Sequence, residues 1–243
     1  MRFWGRKRTA SGPKGLWAGF VDIHAHLLPG VDDGVPDWQR CLALLDACEA
    51  KGWKAVCLTP HVMEDMPNAT ARLQRLFDEL QVRYQGRLSL HLAAEYMLDL
   101  LFEERLEKKD FLPLAKNRVL VETSCYQSSL FFDRLLEKTL SAGYFPVLAH
   151  PERYAYLTEA EYARLKEKRV GFQLNLPSLV GFYGREIQKR SKWLLRQGMY
   201  TYAGTDTHSF AAWERLVEAK DLERHAECLL PLIENNKQLF ENE

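Results

Sequence analysis

Histidines and carboxylates recur in this chain where short apolar runs give out. The segments are Asp22-Ile23-His24-Ala25-His26, Thr59-Pro60-His61, Ala94-Glu95, Val121-Glu122, Ala149-His150-Pro151-Glu152-Arg153 and Gly204-Thr205-Asp206-Thr207-His208. Imidazole nitrogen and carboxylate oxygen are the donors that borderline divalent cations take. In Asp-x-His-x-His, residues two apart on a strand project to one side and can grip one ion. A lone histidine after a strand is more often a hydrogen-bonded structural residue, and Glu95 or Glu122 alone would more often be a surface carboxylate. Their joint recurrence favours ligation. The donors exceed what one ion needs, so two or three divalent ions sharing a bridging carboxylate are expected. Without thiols nearby, Mn²⁺, Fe²⁺ and Zn²⁺ all suit the set. Such a cluster lowers the pKa of water and stabilises both oxygens of a displacement, which is hydrolytic chemistry.

To converge, these residues need elements that end on one rim. Apolar strand-like runs are Phe20–His24, Ala55–Thr59, Leu88–Ala94, Val119–Glu122, Pro146–His150, Gly171–Leu176 and Tyr200–Thr205. Several are apolar nearly throughout, as strands buried on both faces are. Helical patterns lie between them. Pro36 and Asp37 suit a helix start, Trp38, Cys41, Leu42, Leu45 and Cys48 follow at helical spacing, and Gly52 suits the stop. Further helices are expected over 71–84, 98–108, 129–142, 159–168 and 185–197, with at least one more between Trp213 and Phe240. Alternating strands and helices imply an α/β fold with parallel strands and right-handed crossovers. A doubly wound sheet and a closed barrel both satisfy that order. In a barrel the strand ends share the rim that carries active sites.

With 243 residues and 47% hydrophobic content, the chain can build a substantial core, which argues against disorder. Lys+Arg and Asp+Glu balance at 33 each, against a general nucleic-acid binder. Cys41, Cys48, Cys57, Cys125 and Cys228 are odd in number and irregularly spaced, which suits a reduced, cytoplasmic setting. No apolar run approaches the roughly 20 residues of a membrane span. Residues 1–18 read as a flexible basic arm with Arg2, Arg6, Lys7, Arg8 and Lys14 and no acid. Phe3, Trp4 and Trp17 are available there as anchors for peripheral contact with an anionic membrane. Residues 19–243 read as one domain. His91 and His225 are given no role. No cysteine is followed six positions later by arginine, since those positions hold Ala47, Lys54, Met63, Phe131 and Glu234, so a cysteine nucleophile paired with an arginine at that spacing is absent.

The stretches VDIHAHLLPGVDDG, LTPHV, AAEYMLD, VLVETS, PVLAHPERY, FQLNLPSLVGFYG and AGTDTH together resemble the PHP (polymerase and histidinol phosphatase) superfamily. Within it they resemble the bacterial tyrosine-protein phosphatases of the CpsB/CapC/YwqE type. The resemblance implies a distorted TIM-like (β/α)7 barrel and a trinuclear centre. It implies His24, His26, Asp33, His61, Glu95, Glu122, His150, Asp206 and His208 as metal ligands, with Glu95 bridging and Arg153 binding phosphate. It further implies a metal-activated hydroxide, with His150 or Asp206 assisting proton transfer, and a tyrosine-phosphorylated bacterial autokinase in capsule or exopolysaccharide regulation as the substrate. A small-molecule phosphatase of the histidinol-phosphate kind and a non-catalytic metal-binding regulatory module are the rival readings. Thr123-Ser124-Cys125-Tyr126, and Ser209 to Glu214 in place of the Arg-Pro-Pro of some members, depart from the family at the substrate rim.

Overall fold

A computed structural model describes residues 15–240. Its strands are β1 (Val21–Ala25), β2 (Ala55–Leu58), β3 (His61–Val62), β4 (Ser89–Leu92), β5 (Glu95–Met97), β6 (Arg118–Glu122), β7 (Phe145–Ala149), β8 (Gly171–Asn175) and β9 (Tyr202–Gly204). Between and after them run α1 (Trp38–Lys51), α2 (Thr70–Arg83), α3 (Leu100–Lys108), α4 (Phe132–Ser141), α5 (Glu159–Glu167), α6 (Leu176–Leu179), α7 (Arg185–Arg196), α8 (Phe210–Val217) and α9 (Ala226–Phe240). All strand pairs are parallel, in the orders β1-β2-β4 and β3-β5-β6-β7-β8-β9. The expected α/β class with a parallel sheet is thus the observed one. Helix α1 begins and ends where its sequence signals. The Asp37 carboxylate accepts the Arg40 N–H, and Gly52 closes the helix at φ 100°.

Two expected strands, Ala55–Thr59 and Leu88–Ala94, are each followed after a break by a short strand that was not expected, β3 and β5. Pro60, between β2 and β3, has no N–H to give the ladder, although its carbonyl still accepts from Glu95 N. Between β4 and β5 the N–H of Ala94 turns away to the carbonyl of Leu112. Glu95 therefore opens β5 rather than closing the strand before it, and pairs in register with His61. The run expected to reach Leu176 ends at Asn175, where α6 begins.

Strands β1 and β9 meet along a seam. Ala25 and Thr207 form a parallel bridge, Asp206 N bonds the His24 carbonyl at 2.7 Å, and His26 N bonds that of Thr207 at 2.9 Å. Asn236 of α9 donates to the carbonyls of Val21 and Ala203 and accepts from Ala203 N, which satisfies backbone groups of both strands. Asp22 adds to the seam, accepting from Thr205 N at 3.0 Å and from the Thr205 hydroxyl at 2.5 Å.

Alternate strand residues divide the core. Val56, Leu58, Val119, Val121, Leu148, Phe172 and Leu174 join the large cluster shared with the helices. Val21, Ile23, Ala55, Cys57, Leu120, Val147, Ala149 and Tyr202 form a smaller one, closed at one end by Leu239 of α9. Residues 1–14 of the expected arm lie outside the described residues. Leu16 and Trp17 do not belong to an exposed arm. Trp17 stacks on Trp53, with centroids 5.8 Å apart, and meets Phe20 edge-on, because a large apolar ring gains more from burial than from solvent.

Candidate metal centre

The β1 register slips between Asp22 and Ala25. A bulge breaks the two-residue alternation, and it separates the Asp-x-His-x-His residues: Asp22 turns to Thr205 while His24 and His26 bring their Nε2 atoms to 3.1 Å from each other. His61 and Glu95 meet because their short strands pair in register. Glu122 closes β6. His150 and Asp206 follow β7 and β9 in the left-handed region, at φ 35° and 51°. A non-glycine residue held there costs free energy that the surroundings must offset, and such residues gather at functional sites.

Glu95 is the hub. Its Oε2 lies 3.2 Å from His24 Nε2, 3.4 Å from His26 Nε2 and 3.2 Å from His61 Nδ1, and its Oε1 lies 3.0 Å from His150 Nε2. Donor atoms fall into three clusters, each within a 4.8 Å span: His26, Asp33, His61 and His208; His24, His26, Glu95 and Asp206; and His61, Glu95 and Glu122. All the expected ligands except His150 belong to one of them. His150 stands beside Glu95, 3.9 Å from Glu122 Oε2, and accepts no place in a cluster.

Three imidazoles are fixed through Nδ1. His24 Nδ1 donates to Gln173 Oε1 at 2.9 Å, His26 Nδ1 to Asp32 Oδ2 at 2.9 Å, and His208 Nδ1 to the Asp206 carbonyl at 2.9 Å. With the proton assigned to Nδ1 by these partners, each Nε2 lone pair faces the clusters, the arrangement that metal-binding histidines adopt. Asp206 is divided. Its Oδ1 faces His24, His26 and His208 at 3.3–3.5 Å, while Oδ2 accepts from Arg153 Nη2 at 2.5 Å and Asn175 Nδ2 at 2.9 Å. The Arg153 guanidinium also lies 4.0 Å from the centroid of the Tyr183 ring.

The donor set suits divalent cations on two grounds. His61 Nδ1, Glu95 Oε2 and Glu122 Oε1 are buried, with the nitrogen 3.2 Å from the first oxygen and 3.0 Å from the second, yet none makes a hydrogen bond. Such orphaned atoms cost free energy unless something supplies positive charge to all three. The electrostatics agree. Burial works against ionisation of Glu95 and Asp206, but His24 and His61, and Arg153 and His24, hold these carboxyls well below the usual range. A hydrogen bond from His208 takes Asp33 to about 2. Burial disfavours the imidazolium of His61, but Glu95 and Glu122 override it and raise the group to about 9. Protons on histidines here take the place that cations would fill.

Sequence reasoning passed over Asp32, Gln173 and Asn175 as working residues, and counted Asp22 in a metal-gripping motif although its carboxylate bonds Thr205. For Gln173 and Asn175 a signal existed: polar residues two apart at the end of an apolar strand, as in the His24 segment. Asp32 and Asp33 are adjacent and carry no signal to tell positioner from donor.

A family model described as capsular polysaccharide synthesis, CpsB/CapC, matches residues 20–222. The tyrosine-protein phosphatase YwqE of Bacillus subtilis is 28% identical over 201 residues, 78% of this chain and 77% of that protein. The putative tyrosine-protein phosphatase CapC of Staphylococcus aureus is 24% identical over 235 residues, 92% of each. The tyrosine-protein phosphatase CpsB of Streptococcus pneumoniae is 26% identical over 210 residues, 78% of this chain and 83% of that one. Among solved structures, work on YwqE and on CpsB of S. pneumoniae, described as unique metal-dependent tyrosine phosphatases, provides a match with TM-score 0.81. It is 25% identical and covers 92% of this chain and 95% of that one.

Proposed function

Because the chain belongs to the CpsB/CapC family of capsular polysaccharide synthesis, we propose that it is a metal-dependent protein-tyrosine phosphatase in capsule or exopolysaccharide regulation. The observation that carries this reading is the contact between Arg153 and Asp206, which seats an anion-binding guanidinium directly on a candidate metal ligand.

The ions would be held by His24, His26, Asp33, His61, Glu95, Glu122, Asp206 and His208, with Glu95 shared between clusters and His150 at their edge. Divalent cations supply Lewis acidity toward phosphoryl oxygens and a lowered pKa for water. The chain does the rest. Arg153 presents a planar fork to the phosphoryl oxygens, and Asp206 with Tyr183 fixes where that fork points. Asp206 is held ionised against its burial by Arg153 and His24, so it has no proton to give. His150 sits between the Tyr154 hydroxyl, 3.3 Å from Nδ1, and Glu95, 3.0 Å from Nε2, in a position to pass a proton along that line. A phenolate, with pKa near 10, leaves without a strong acid.

The seam of Ala25–Thr207, Asp22 and Asn236 supports a closed (β/α)7 barrel, with β2 and β3 as one broken strand and β4 and β5 as another. The core from Leu16 onward supports one domain. The substrate is proposed to be a phosphotyrosine-bearing protein, a bacterial tyrosine kinase in the first instance, and Mn²⁺ is among the ions that the mixed donors favour. No helix of the described residues is long and apolar enough to cross a membrane. The free Cys41, Cys48, Cys57, Cys125 and Cys228 support a cytoplasmic setting.

Hydrolysis of a phosphotyrosine peptide, histidinol phosphate and an aryl phosphate, each with and without a chelator, tests the whole. The peptide and aryl ester should turn over only with metal. Preference for histidinol phosphate would move the chain to small-molecule chemistry, and full activity after complete stripping would end the metal reading.

A further inference from the structure

The opposite end of the strands also carries unbalanced charge. Two adjoining cavities of about 220 and 390 Å³ open at the starts of β6 to β9 and share Arg118, Thr201 and Tyr202. Lys166 and Arg169 line the first and Lys116 the second, and neither is lined by a carboxylate. In a chain whose charges balance, four cations without an acid in one groove make a local positive field. Among the described residues none of the four has a carboxylate partner, whereas the nearby Lys168 pairs with Glu137.

Lys166 is the organised member. It is half-buried, with Nζ 3.1 Å from Thr201 Oγ1 and 5.2 Å from the centroid of the Phe172 ring. One neutral hydroxyl leaves two of the three ammonium donors for another acceptor. Burial lowers the Lys166 pKa, as expected of an ammonium removed from water with no counter-ion beside it. Arg118 opens β6, whose far end is Glu122, and its guanidinium borders both cavities.

We propose that this groove is an anion site, separate from the metal centre, that binds a soluble phosphate-bearing small molecule through Lys166, Arg118, Arg169 and Lys116. Lys166 and the Thr201 hydroxyl form its fixed part, and the exposed Arg169 and Lys116 close over the anion from either side.

Calorimetric titration of the metal-loaded full chain with inorganic phosphate tests this, because the metal centre and the groove then count as separate sites. Lys166→Met with Arg118→Met should bind one phosphate fewer per chain than the parent while hydrolysing an aryl phosphate at the parent rate. If that pair fails to fold, Arg169→Met, a surface change, should alone weaken the extra site about tenfold. Equal phosphate stoichiometry in parent and double variant, or equal affinity in Arg169→Met, would overturn the site. Flotation with phosphatidylglycerol vesicles that is lost in the double variant, with no extra phosphate bound by the parent, would assign the groove to lipid headgroups and overturn the soluble ligand.

Discussion

Asp32 Oδ2 lies 2.9 Å from His26 Nδ1 and, through the same carboxylate oxygen, receives the backbone N–H of His61 at 3.1 Å. One buried carboxylate thus orients a histidine from β1 and anchors the strand that delivers a second. Asp32→Asn should lower metal affinity roughly 10–100-fold with little loss of fold. Metal titration followed by circular dichroism checks it. Unchanged affinity would make Asp32 a turn residue only, through its bond to Gly34 N.

Arg153→Ala should reduce kcat/KM for an aryl phosphate by about 10²–10³ while the bound metal stays the same. Arg153→Lys should restore little of it, because a point charge cannot keep both Asp206 and a planar pair of phosphoryl oxygens. Elemental analysis beside kinetics separates the two effects. Equal loss of metal and rate would place Arg153 in the scaffold instead.

The pH response of the stripped chain follows from His61. Its folded pKa, about 9, exceeds the unfolded value of about 6.5. Its stabilising contribution is full below about pH 6.5 and fades as pH rises through about 9. Glu95 and Asp206 stay ionised across that window and add no slope of their own. The melting temperature of metal-free protein should therefore fall from neutral to alkaline pH, while metal affinity climbs as protons stop competing. Calorimetry of the stripped chain across this range decides it, and a rising melting temperature would contradict the proton occupancy.

Gly34→Ala should cost metal without unfolding the domain. An added Cβ would meet the His26 carbonyl oxygen at 2.1 Å and His26 Cβ at 2.6 Å. The loop carrying Asp32 and Asp33 would have to retreat, and the cluster of His26, Asp33, His61 and His208 with it. A metal content equal to the parent's would show that the loop adapts at no cost.

Trp53→Ala should destabilise by about 3–5 kcal/mol, since Trp53 packs on Trp17, Phe20 and Trp213 at once.

The parallel strands, their helices and the row of rim donors were legible because each rests on a local pattern: apolar runs, capping residues, a histidine or carboxylate at a run's end. What escaped depends on contacts far apart in sequence. The β1 slip is invisible locally, and so is the bond that gives the Asp22 carboxylate to Thr205, 183 residues on. Asn236 reads as one more polar residue on the last helix until it lies between β1 and β9. Trp17 looked like an anchor because its neighbours in sequence are basic, whereas its neighbours in space are Trp53 and Phe20.

The two oxygens of Asp206 have different clients, histidine nitrogens on one side and Arg153 with Asn175 on the other. A charge drawn toward one oxygen changes what the other can offer. Cations held at Oδ1 would weaken the pull of Oδ2 on the guanidinium and leave Arg153 more charge to offer an incoming oxyanion. By reciprocity, an oxyanion that shares the Arg153 guanidinium with Asp206 would leave the carboxylate a stronger base for cations. Loading and substrate capture are then two readings of one equilibrium. Inorganic phosphate should slow stripping by a chelator in the parent and lose that effect in Arg153→Ala.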